Sequence, residues 1–160
     1  LPAPYFVKTV NIQSARQMYE AVVAVSAEQD AVIKAAAVAD YRPKHVAAEK
    51  TKKKDGDMAI ELERTDDILA YLGAHRREGQ FLCGFSMETR DMLANSQAKL
   101  EKKHVDMICA NNLKVAGAGF GVDTNVLTLI TAGGAEELPL MSKEEAAGRI
   151  LDRALALSGQ

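Results

Sequence analysis

A chain of 160 residues is long enough to bury an ordinary core and has the size of one domain. Its 48% hydrophobic and 26% charged residues suit a globular protein in water, and no apolar run reaches the length of a membrane span. The net charge of -2 excludes a global attraction to nucleic acid or to an anionic membrane, so any anion site must be local. The N-terminus does not read as a signal peptide, and Leu1 opens the chain in place of methionine, which points to a fragment or a processed product. Cys83 and Cys109 sit in separate apolar runs and read as free buried thiols of a reducing cytoplasm. A metal site would need more ligands than these and the scattered His45, His75 and His104 provide.

In chain order, the prolines of Leu1-Pro2-Ala3-Pro4 make a lead-in, and Phe6 to Val10 predicts a short strand. Ser14 and Gln17 form a capping box for a helix from Ala15 to Ala27, with Ala15, Met18, Tyr19, Val22 and Val23 on one face. Ala31 to Val38 is almost wholly apolar, as expected of a strand covered on both faces. Arg42 to Gly56 reads as loop, and Met58 to Glu63 alternates like a strand. Thr65 is the expected cap of a helix reaching Arg76, with Asp66 and Asp67 in its first turn. A strand from Phe81 to Phe85, a helix from Thr89 to His104 and a strand from Val105 to Ala110 follow. After the loop from Asn111 to Gly121, the strand Val122 to Ile130 turns at Gly133-Gly134 into Glu136 to Leu140. Ser142 and Glu145 open a final helix lined by Ala147, Ile150, Leu151 and Ala154. The pattern predicts a single α/β domain over residues 1–160, a Rossmann-like three-layer sandwich. Its sheet is mostly parallel, with an antiparallel C-terminal hairpin at the edge.

In such a fold ligands bind beyond the carboxyl ends of the strands. Three loops leave the sheet there: Asp40 to Lys54, Gly84-Phe85-Ser86-Met87-Glu88-Thr89, and the loop beginning Asn111-Asn112. Asp40 could hold a divalent cation bridging phosphates, or simply cap the next turn. The run Lys50, Lys52, Lys53, Lys54 could meet phosphates or be solvated, partly neutralised by Asp55 and Asp57. Lys99 and Lys103, four apart on one helix, repel each other unless they share an anion. On spacing alone the commoner explanation is that Lys102, Lys103 and His104 complement the helix C-terminus while Lys99 is solvated. Ala116-Gly117-Ala118-Gly119-Phe120-Gly121 lacks dinucleotide-fingerprint spacing and precedes a strand, so it reads as loop. Walker, nucleophile-elbow and zinc-type histidine patterns are not found.

Taken together, Ala35-Ala36-Ala37-Val38-Ala39-Asp40-Tyr41-Arg42-Pro43 and Glu49-Lys50-Thr51-Lys52-Lys53 resemble the bacterial phosphopantothenoylcysteine synthetase domain of coenzyme A biosynthesis. The resemblance continues through Asp67-Ile68-Leu69, Gly84 to Thr89, Lys99 with Lys103, Ile108-Cys109-Ala110-Asn111-Asn112, Gly119-Phe120, Asp123-Thr124-Asn125 and Leu138-Pro139-Leu140. It implies a ligase in which 4'-phosphopantothenate attacks CTP to give an acyl-cytidylate, and L-cysteine then displaces CMP. It implies CTP binding by Ala35, Ala36, Asp40, Lys50, Asp67, Ile68, Leu69, Phe85, Lys99 and Lys103, which reverses the balance on the lysine pair. Lys50 would be the catalytic residue on a mobile flap, and Asp40 would carry Mg2+ with CTP. Ala37 and Asn111 would contact substrate. The family further implies a cytoplasmic homodimer with no nucleic acid or membrane partner, and no flavin on this part of it. Thr65-Asp66-Asp67-Ile68 replaces the commoner Asn-Pro-Asp-Ile, and Ser86-Met87 replaces a pair of alanines. Family members also begin with an upstream strand and glycine-rich loop, so this chain is expected to lack part of the site. The rival readings are a nicotinamide-dependent oxidoreductase, which the missing G-x-G-x-x-G opposes, and a non-catalytic module binding RNA through its lysines, which the acidic balance and few aromatics oppose.

Overall fold

The computed structural model describes residues 3–52, 56–88, 90–112 and 121–159. Four helices, α1 (Ala15–Ser26), α2 (Ile68–His75), α3 (Met92–Lys103) and α4 (Lys143–Ser158), pack on a central sheet. The sheet is ordered β1 (Ala31–Lys34), β4 (Phe81–Met87), β5 (Met107–Asn111), β7 (Leu127–Thr131), β8 (Gly134–Glu137). β1, β4 and β5 are parallel; β7 runs against β5, and β8 against β7. The α/β class and the mostly parallel sheet with an antiparallel C-terminal side are therefore as expected. Two small ribbons complete the described chain, β2 (Tyr41–Pro43) with β3 (Leu62–Arg64) and β6 (Thr124–Asn125) with β9 (Met141–Ser142).

Period-two alternation in the central strands divides the core into two layers. Phe81, Cys83, Met107, Cys109, Leu127 and Leu129 face α4, meeting Ala146, Ile150 and Ala154. Leu82, Ile108, Ala110 and Ile130 face the other way, onto Ile68, Leu69 and Leu72 of α2 and Leu100 of α3, with Met18, Tyr19 and Val22 of α1 alongside. Both faces of β4, β5 and β7 are covered, so Phe81 to Gly84, Met107 to Ala110 and Leu127 to Thr131 are buried throughout, Thr128 and Thr131 included. Gly84 lets Leu69 pack closely on β4: a Cβ there would lie 2.5 Å from Leu69 Cδ2, and that side chain would have to shift. The free thiols Cys83 and Cys109 are buried with their Sγ atoms 3.5 Å apart, and that contact together with burial pushes the Cys109 thiol far up.

Several elements differ from the sequence reading. Phe6 to Val10 is no strand: Phe6 has φ +61°, outside the extended region, and the segment is exposed with no partner strand. β1 stops at Lys34 and is an edge strand with alternating exposure, so its apolar run does not mean double coverage. α2 is capped by Asp67, whose Oδ1 accepts from the Ala70 N–H at 2.9 Å, and not by Thr65, whose hydroxyl donates to the Ala39 carbonyl at 2.6 Å. Part of the expected Arg42 to Gly56 loop is β2, and its partner is Leu62–Arg64 instead of Met58 to Glu63. Val122 to Ile130 is broken at Val126, whose N–H is taken by the Asn125 side chain at 3.0 Å. The final capping box forms as read, Ser142 and Glu145 bonding reciprocally and holding the Glu145 carboxyl below its usual range. Among the described residues no helix is long and apolar enough to cross a membrane.

Candidate functional site

The carboxyl ends of β1, β4 and β5 open into a cleft of about 710 Å³. Parallel pairing sets Lys34 opposite Gly84 and Met87 opposite Asn111, so the loops after all three strands start at one edge. Its walls are the 34–41 segment, the 64–69 segment that begins α2, Phe85 to Met87, Lys99 and Lys103 of α3, and Asn111. Of the sequence-predicted site residues, Ala35, Ala36, Ala37, Asp40, Asp67, Ile68, Leu69, Phe85, Lys99, Lys103 and Asn111 all line this cleft.

Lys50 does not. It is exposed on the loop between β2 and β3, where its neighbours Glu49 and Thr51 border a separate groove of about 560 Å³. That arm is rooted at the cleft mouth, since the Thr65 N–H donates to the Asp40 carbonyl at 3.0 Å. Arg42 with Glu63 (2.7 Å) and Lys44 with Glu61 (2.6 Å) brace it from strand to strand. Lys53 and Lys54 of the lysine run, Thr89, and Gly119-Phe120 lie outside the described residues.

The cleft's cations come from three elements, β1, β3 and α3. One helical turn separates Lys99 from Lys103 on α3, and both are half-buried. Lys99 Nζ donates to the Phe85 carbonyl at 3.3 Å, while Lys103 Nζ pairs with Asp67. Burial alone would raise the Asp67 carboxyl, but the Lys103 ammonium and the Ala70 N–H outweigh it and hold the group below the usual carboxylate range. Lys34, the last residue of β1 and not among the site residues expected from the sequence, is a third cleft-lining ammonium. Its signal was available, as the single charge in an otherwise apolar run. Arg64, Thr65 and Tyr41 were also missed, because only the β2–β3 pairing brings them to the mouth.

Asn111 is held from behind. Its Oδ1 accepts from Asn125 Nδ2 at 2.7 Å and its Nδ2 donates to the Ser86 carbonyl at 3.4 Å, while the Ser86 hydroxyl meets that of buried Ser96 at 2.7 Å. Asp66, beside the cleft, is tied to Arg16 of α1 at 3.1 Å. The arrangement presents ammonium groups, a carboxylate at Asp40 and a half-buried phenyl ring to one extended ligand volume, which suits a phosphorylated, ring-bearing molecule.

A family model described as DNA/pantothenate metabolism flavoprotein C-terminal domain matches residues 1–157. The chain belongs to that family. Among curated relatives of this DNA/pantothenate metabolism flavoprotein C-terminal domain, the Coenzyme A biosynthesis bifunctional protein CoaBC of Bacillus subtilis is 48% identical over 94% of the chain and 37% of the relative. CoaBC of Vibrio vulnificus is 40% identical over 99% of the chain and 40% of the relative. The chain thus spans well under half the length of these relatives. A crystal structure of the C-terminal domain of CoaBC superposes with a TM-score of 0.76 at 43% identity, covering 96% of this chain and 69% of that one. The resemblance read in the sequence is therefore to the right region of these proteins.

Proposed function

We propose that the cleft binds CTP with magnesium and that this chain is the CTP-binding part, a single α/β unit, of a phosphopantothenate–cysteine ligase of coenzyme A biosynthesis. The observation that carries the reading is the convergence of Asp40, Phe85, Lys99 and Lys103 on one cleft at the carboxyl edge of the sheet. Relatives named as coenzyme A biosynthesis proteins support it. Lys99 and Lys103 would neutralise the triphosphate, and Ala35, Ala36, Ile68, Leu69 and Phe85 would make the apolar walls around the nucleoside. Among the described residues no group of three or more acidic, cysteine or histidine side chains could hold a metal ion by itself. That donor set fits magnesium carried on the phosphates and held through Asp40, where it would lower the charge that the entering carboxylate must approach.

The carboxylate oxygen of 4'-phosphopantothenate would attack the α-phosphorus as the bond to pyrophosphate breaks. The amine of L-cysteine would then attack the acyl carbon, losing a proton and releasing CMP. Lys50, brought over the cleft by the β2–β3 arm, would stabilise charge on the reacting groups and help exclude water from the mixed anhydride. Asn111 and Ala37 would meet the acyl substrate. The exposed Val46, Met58, Ile60 and Leu62 on and beside that arm suit a second copy of the chain, giving a homodimer. Such a reaction belongs in the cytoplasm.

Calorimetric titration with CTP and magnesium, with ATP and NADH as comparisons, tests the reading. Saturable CTP binding, weakened in Asp40→Asn chiefly when magnesium is present, is the expected result. Preference for NADH, or an equal Asp40→Asn loss in chelator, would overturn the nucleotide or the cation-bridging assignment respectively.

A further inference from the structure

β1 is apolar except for its last residue, Lys34, which stands at the carboxyl end of the strand and lines the cleft next to Ala35 and Ala36. Its Nζ donates to the Ala36 carbonyl at 3.2 Å and enters no ion pair with any described residue. That carbonyl belongs to an exposed residue, so water could replace the lysine there without cost to the fold. Burial pushes the Lys34 ammonium below the usual lysine range, the Lys99 charge adds to this and Lys103 acts in the same sense; Asp67 and Asp40 oppose it. Gathering this lysine with Lys99 and Lys103 at one sheet edge destabilises the empty protein, whereas a chain of phosphates lying among them would turn the repulsion into attraction.

Resting on the reading of the cleft as a nucleoside triphosphate site, we propose that Lys34 is a third phosphate-binding cation, acting from the strand edge opposite Lys99 and Lys103 and favouring polyphosphates over monophosphates. Three cations drawn from a strand and a helix can hold successive phosphates in a way that two lysines one turn apart cannot.

The test is calorimetric titration of the chain with inorganic tripolyphosphate, CTP and CMP, each with magnesium, in the wild type, Lys34→Met and Lys34→Arg. Lys34→Met should weaken tripolyphosphate and CTP about tenfold or more while leaving CMP within about threefold, and Lys34→Arg should retain most of the affinity. Without ligand, Lys34→Met should melt no lower than the wild type, because it removes a half-buried repelled charge. Unchanged tripolyphosphate affinity in Lys34→Met, or no tripolyphosphate binding by the wild type, would overturn the inference. A lowered melting temperature with equal loss for CMP would also overturn it, making Lys34 a structural residue. Tripolyphosphate binding lost in Lys34→Met, with CTP bound no better than tripolyphosphate, would keep the three-cation cradle and remove the nucleotide reading.

Discussion

Several polar side chains in the cleft, Asp67, Ser86, Lys99, Lys103 and Asn111 among them, are held by a specific partner. Asn125 is the clearest case. It accepts from the Val126 N–H and donates to Asn111 Oδ1, which leaves the Asn111 amide nitrogen directed at the Ser86 carbonyl. Asn125→Ala should cost about 1–3 kcal/mol by stranding the Val126 N–H and the Asn111 oxygen, read by denaturant unfolding. Asn125→Asp separates the two effects, since the carboxylate keeps the bond to Val126 but faces the Asn111 oxygen with an acceptor. The Asn111 side-chain amide resonances should then shift in a spectrum of the folded protein while the β6–β7 break survives; unshifted resonances would show that Asn125 does not orient Asn111.

Among the elements, the junction of α2 with α3 decides whether the site exists. Gly73 of α2 packs so close to the end of α3 that a Cβ would lie 1.8 Å from the Lys103 carbonyl oxygen. That approach lets Lys103 reach Asp67 at the start of the same helix. Gly73→Ala should force the helices apart, costing roughly 3 kcal/mol or more and lowering Tm by about 6–12 °C. Gly148→Ala in α4 is the control, because the added Cβ meets open space and should stabilise by about 0.5–1 kcal/mol through helix propensity. Equal melting temperatures for the two variants would contradict this account. The starts of α1 and α4 were read correctly, because Ser14 and Ser142 act within a few residues, whereas α2 and α3 begin later than the sequence suggested. Strand limits were read less well, since a strand ends where its partner ends, as β3 does opposite β2.

At the scale of the whole molecule, the proposed function requires Lys50 to reach a cleft that it does not line. The β2–β3 arm is anchored at its root, where Thr65 bonds the Ala39 and Asp40 carbonyls, and Lys50 lies on the loop beyond it. An arm held at one end can move over the cleft without disturbing the sheet, consistent with a closing role. On the proposed function, Lys50→Ala in a full-length protein carrying this domain should slow acyl-cytidylate formation by about 100-fold or more while changing CTP affinity less than about threefold, measured by single-turnover kinetics beside calorimetry. An equal loss in both would make Lys50 a binding residue and remove the closure argument.

Sequence signals by themselves were enough for the α/β class, for the existence of four helices and for most residues of the cleft, but they misplaced the buried face of α4, where Ala146 is buried while Ala147 and Leu151 are exposed. Those signals are either local, as capping and periodicity are, or carried by contiguous motifs such as Ala35 to Asp40. The edge position of β1 among the described strands, the double role of Asp67 as cap of α2 and partner of Lys103, and the gathering of Lys34 with the other two lysines come from long-range packing. The physical reason is the same in each case. Partners 24 to 69 residues apart, as Cys83 is from Met107 and Lys34 from Lys103, meet only when sheet register and helix packing bring them together.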